Sequence, residues 1–103
     1  MDTAKNARVE VVEKDGRPTI VLEGAIDIFF AADLRRAAVE VLQKSEDVAL
    51  CCDKVERFDT AALQVLLALK RDLAQNGRTL QVSGMSARPA AAVGLAGLSG
   101  QLL

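Results

Sequence analysis

The side chains able to do chemistry in this chain are carboxylates, hydroxyls and one pair of thiols, because histidine is absent altogether. That removes the usual general base, the commonest metal ligand and every Ser-His or Cys-His nucleophile pair. Carboxylate pairs can still run acid-base reactions, but no two stand in a setting that would push their pKa values apart. Cys51 and Cys52 are neighbours in an apolar run. Such neighbours point to opposite faces of a strand and rarely bridge, so both read as small buried hydrophobes. The stretch from Gly94 to Gly100 is rich in glycine. It lacks the preceding strand and the lysine of a phosphate-binding loop and reads as a loose terminus. No catalytic constellation, cofactor site or metal site is expected, and the chain reads as a binding protein rather than an enzyme.

The polar residues that remain stand at junctions between elements. Asp27 lies just before a helical pattern, and Asp59-Thr60 just before a second one. Asp favours turns, so Asp27 has an ordinary reading as a turn residue. Either Asp59 or Thr60 suits the N-cap of the second helix. Thr60 also stands where unpaired backbone N–H groups and the positive end of a helix dipole would hold an anion. Phe29 and Phe30, two of only three aromatic residues, sit at the start of the first helix. One is expected in the core and the other on the surface as a partner contact. Lys54, Glu56 and Arg57 read as a solvated loop bordering the same end.

The elements that must position these residues follow from periodicity. Val9 to Lys14 and Thr19 to Glu23 are rich in Val and Ile, and Asp15-Gly16 between them signals a tight hairpin turn. Pro18 belongs at the very start of the second strand. Leu34, Ala38, Val41 and Leu42 fall at helical spacing, predicting a helix from about Phe30 to Gln43. Val48 to Cys52 is a continuous apolar run, as in a central strand covered on both faces. Ala62, Leu66, Leu69 and Leu73 make one stripe of a second helix over Ala61 to Asn76, stopped by Asn76-Gly77. Arg78 to Gly84 alternates as a further strand. A short third helix, capped by Ser86 with Pro89 in its first turn, would carry Ala90 to Leu95. The order β-β-α-β-α-β-α, with a terminal strand stub as a further option, implies right-handed crossovers and a sheet that is parallel after the opening hairpin.

Length and charge set the frame. The chain has 103 residues, half of them apolar, which suits one domain with one core. Residues 1–8 read as a flexible tail and 9–103 as the domain. Thirteen basic against fourteen acidic side chains give a formal net charge of −1 without a basic block, so nucleic acid is not an expected partner. The N-terminus has neither a signal peptide nor a membrane span, which predicts a cytoplasmic protein with no direct membrane insertion.

Two segments resemble the STAS family (sulphate transporter and anti-sigma factor antagonist). Val21-Leu22-Glu23-Gly24-Ala25-Ile26-Asp27 is similar to the family's strand-Gly-x-x-Asp approach to its first helix, and Val55 to Leu63 to the pattern of an apolar residue and Asp before Ser or Thr and a small-small-Leu helix start. Gly77 to Gly84 matches the strand after the second helix, so the resemblance covers nearly the whole chain.

The resemblance implies a single α/β domain with a mainly parallel sheet, an N-terminal hairpin and helices largely on one face. It also implies phosphorylation at Thr60 by a partner that is both kinase and anti-sigma factor. The partner-binding residues carried over are Asp27, Asp59, Thr60, Ala61 and Ala62. Ala62 replaces a glycine common in the family. The C-terminus is shorter than in most antagonists, and that, with Thr for Ser, also resembles a small STAS subunit on the ATPase of a phospholipid ABC transporter. The partner implied is thus an ATP-binding anti-sigma factor or kinase-like protein, or alternatively a transporter ATPase. A scaffold in a stressosome or chemotaxis assembly is a third reading. A second copy could also pair along an exposed sheet edge as a homodimer.

Overall fold

The structure is a computed structural model, and it describes residues 7–44 and 46–84. The expected third helix, the strand stub and the glycine-rich end lie outside the described residues, as does most of the expected tail.

The hairpin forms as its turn residues dictate. Asp15 and Gly16 take φ of 55° and 78°, the pair of positive values that matches a two-residue turn to the twist of its strands. β1 (Arg8–Lys14) and β2 (Arg17–Ile26) flank it in antiparallel register, with Lys14 opposite Arg17 and Arg8 opposite Glu23. Arg8, assigned to the tail from sequence, therefore opens the first strand and ion-pairs with Glu10 and Glu23. Pro18 faces Glu13, one step beyond the turn-closing pair. Antiparallel alternation asks for no hydrogen bond between residues at that step.

Two crossovers complete a sheet in the order β1-β2-β3-β4. β3 (Val48–Phe58) and β4 (Leu80–Ser83) run parallel to β2. Both crossovers advance in the same direction, so their right-handedness puts both helices on one face. α1 (Ile28–Leu42) packs on β1 and β2, α2 (Thr60–Gln75) on β4, and the helices pack on each other. The core lies between: Ile20, Leu22 and Ile26 of β2, Leu50 of β3, Leu34 and Val41 of α1, and Leu66 and Leu73 of α2 are wholly buried. Each such side chain contributes roughly 1.5–3 kcal/mol relative to exposure. The predicted α2 stripe of Ala62, Leu66, Leu69 and Leu73 is this buried face.

β3 is longer than its apolar run predicts, and this corrects the reading of Lys54, Glu56 and Arg57 as a loop. Pairing with β2 continues to Phe58 across two register shifts, one between Val21 and Glu23 and one between Gly24 and Ala25. At each shift β3 holds one residue more than β2, a β-bulge. The inward side chains after Leu50 are therefore Cys52, Val55 and Phe58, all buried and spaced by three rather than two. Gly24 sits at the second shift with φ of 80°, a conformation that side chains rarely adopt.

The end of α2 explains the helix stop at Asn76-Gly77. Gly77 has φ of 71°, its N–H donates to the Ala74 carbonyl at 3.1 Å, and the Arg78 N–H donates to the Leu73 carbonyl at 2.9 Å. This paired closure is the Schellman arrangement. Arg78 then reaches across to α1. Its guanidinium donates to the carbonyls of Val41 and Leu42 in the last turn of α1 at 2.9 and 3.1 Å, and to that of Glu46 in the loop beyond at 2.8 Å, while Val41 also accepts from the Lys44 N–H at 3.2 Å.

The paired helix N-termini as candidate functional site

The two acids singled out from sequence are brought together by a single strand pair. Ile26 and Phe58 are the last paired residues of β2 and β3, and Asp27 and Asp59 follow them directly. The Asp59 N–H donates to the Ile26 carbonyl at 2.9 Å, tying the two junctions to each other. Both helices therefore begin side by side at the same end of the sheet.

Each aspartate is the N-cap of its helix. The Asp27 carboxylate accepts from the Phe29 N–H at 3.0 Å, and the Asp59 carboxylate accepts from the Ala61 N–H at 2.9 Å. Their backbones are extended, with ψ of −170° and 157°, as the cap position requires. Asp27 is thus a cap rather than a plain turn residue, and α1 starts two residues earlier than its periodicity suggests. Of the two candidate caps on α2, Asp59 does the capping and Thr60 is the first helical residue.

Thr60 is exposed, and its hydroxyl makes no hydrogen bond among the described residues. Ala61 is half-buried beside it. Ala62 is wholly buried and supports the site from beneath. Arg57 and Glu56, at the bulged end of β3, are exposed next to the same junction. The arrangement offers an unengaged hydroxyl at a helix N-terminus, two carboxylates already committed to backbone N–H groups, and mixed charge around them. Among the described residues no group of three or more His, Cys, Asp or Glu is placed to hold a metal ion, and no helix is long and apolar enough to cross a membrane.

The choice that sequence left open between the phenylalanines is resolved: Phe30 packs against the core and Phe29 is 82% exposed. A signal for this was present. Phe30 stands four residues before the buried Leu34, whereas Phe29 stands four before the half-buried Asp33. Ile28, also largely exposed, was not singled out at all.

Fold and site together define a small one-sided α/β domain whose distinctive end is a pair of capped helix starts. The chain belongs to the STAS family: the family model described as "Mlab, STAS domain" matches residues 9–103. A similar protein is the anti-sigma-B factor antagonist of Bacillus subtilis, 24% identical over 83 residues that cover 81% of this chain and 76% of the relative. Among solved structures, an anti-sigma factor antagonist from Mycobacterium paratuberculosis superposes with a TM-score of 0.82 at 21% identity, covering 97% of this chain and 86% of that one. The anti-sigma factor antagonist SpoIIAA in its unphosphorylated form gives a TM-score of 0.64 at 14% identity, covering 79% of this chain and 74% of its own. The expected fold class is the one observed across the described residues.

Proposed function

We propose that this chain is a regulatory protein-binding module of the anti-sigma factor antagonist type, and that phosphorylation of Thr60 switches its binding to a cytoplasmic ATP-binding, kinase-like partner. The observation that carries the reading is the exposed, unengaged Thr60 hydroxyl on the first residue of α2, beside a cap supplied by Asp59. A kinase can reach this hydroxyl without first breaking a cap. Phosphorylation would add about −1.5 to −2 charges at neutral pH. The added charge would sit beside Asp59, with Asp27 on the adjoining junction, and would repel acidic groups of a partner docked across both helix starts. Binding then switches with no change of fold. The anti-sigma factor antagonist SpoIIAA, similar in fold, has an unphosphorylated form, in keeping with this chemistry. A constitutive subunit on a phospholipid transporter ATPase draws no support from the named relatives.

Affinity capture of the tagged chain, with mass spectrometry of both the bound partner and the Thr60 peptide, tests the assignment. A kinase-like ATPase together with phosphate on Thr60 is the expected result. With that partner purified, Thr60→Asp is expected to weaken binding at least about tenfold, or about 1.4 kcal/mol, while Thr60→Ala keeps wild-type affinity. Equal affinity of the two variants removes the switch.

A further inference from the structure

Ile28 and Phe29 are two of the three large hydrophobic side chains exposed among the described residues, at 62% and 82%. Single exposed apolar residues are ordinary, but these are consecutive, and they adjoin a hollow. The Asp27 cap fixes the backbone from which they project, since the Phe29 N–H is its donor. Beside them opens a concavity of about 600 Å³, lined by Ala7, Ala25, Phe29 and Phe30 together with the charged Asp27, Glu56 and Arg57. It is large enough to receive an aromatic ring. Neither Glu56 nor Arg57 forms an ion pair with another described residue.

The geometry points to a symmetric contact between two copies of this chain, in which Phe29 of each enters the concavity of the other and Arg57 meets Glu56 or Asp27 across the two-fold axis. A two-fold contact requires one patch that complements itself. This patch does so twice: a projecting ring lies next to a hollow that can take one, and the hollow carries charges of both signs. A patch of one sign would repel its own copy. With seven lining residues plus Ile28, the patch is well below the roughly 20–30 residues a side of a standard interface, so the association is weak. The inference goes beyond the partner reading and needs no partner. Asp27 belongs to both surfaces, so a paired chain would have this end covered.

Sedimentation equilibrium of the full chain from micromolar to millimolar concentration tests it. The weight-average mass is expected to climb from one chain toward two. Phe29→Ser, at an exposed position that leaves thermal stability intact, is expected to stay at one chain throughout. Glu56→Arg and Arg57→Glu should each weaken association at least about tenfold, and the combined exchange of the two charges should restore it. A mass that stays at one chain in the wild type overturns the inference and leaves the surface to a different protein. Undiminished association of Phe29→Ser overturns it as well, by moving the contact to another surface such as the β1 edge.

Discussion

Of two adjacent residues that both suit an N-cap, Asp59 caps α2 and Thr60 does not. The carboxylate holds the Ala61 N–H, and the hydroxyl next to it makes no hydrogen bond among the described residues. Under the proposed switch, stability and modification would fall on adjacent residues. Asp59→Ala is expected to lower unfolding free energy by about 1 kcal/mol, as the loss of a cap does. Thr60→Ala should change it by less than about 0.5 kcal/mol, as at an ordinary surface position. Urea denaturation of the two variants checks the contrast, and a larger loss for Thr60→Ala would place the cap on the hydroxyl. From sequence alone both residue types suit an N-cap, so which of them caps was not legible. The positions of the two helix starts were legible, because Asp27 and Asp59-Thr60 each precede a helical pattern. What sequence does not carry is the Ile26–Phe58 pairing that sets the two junctions side by side.

At the scale of elements, α1 and α2 were readable to within two residues because their apolar stripes keep one period throughout. β3 was not, and the reason is specific. Its inward positions from Cys52 onward are three apart because each bulge inserts a residue, so a search for alternation loses the strand after Cys52 and sees a charged loop. A second long-range feature, the reach of Arg78 from the end of α2 to the end of α1, has no local signature either. Removing that guanidinium takes one donor from each of three carbonyl oxygens, of which Val41 keeps the Lys44 N–H. Arg78→Ala is expected to cost about 1–3 kcal/mol, with the partial exposure of the site favouring the lower end. Arg78→Lys should recover only part of this, since one ammonium cannot reproduce the planar fork. Thermal unfolding of both variants measures the difference, and full recovery by lysine would show that charge rather than geometry matters here.

For the molecule as a whole, Cys52 is the buried hydrophobe expected of an apolar run, whereas Cys51 is half-buried and its thiol donates to the Asp53 carboxylate at 3.2 Å. Both cysteines are free. Burial pushes the Cys52 thiol up to about 12 from a usual 9.0, and neighbouring Cys51 and Asp53 push the same way. The folded state thus keeps a proton that the unfolded chain gives up. Below pH 9 the thiol is protonated in both states and its contribution is constant. Between about pH 9 and about 12 the unfolded chain ionises first, and stability falls by at most about 1.4 kcal/mol per pH unit from this group. Cys52→Ala should lower stability overall by leaving a small cavity, yet flatten the alkaline slope relative to wild type. Urea unfolding across that pH range reads the slope, and an unchanged slope would assign the alkaline loss to other groups.

In the described sheet, spatial order repeats chain order from β1 to β4. No strand has to wait for a neighbour made much later: the hairpin is complete before α1 emerges from the ribosome, and each later helix-strand unit finds its docking edge already built. Loop-closure entropy is then met in short instalments rather than in one long-range search. During synthesis the exposed pairing edge moves forward with the chain, and every newly made strand covers the edge of the one before it.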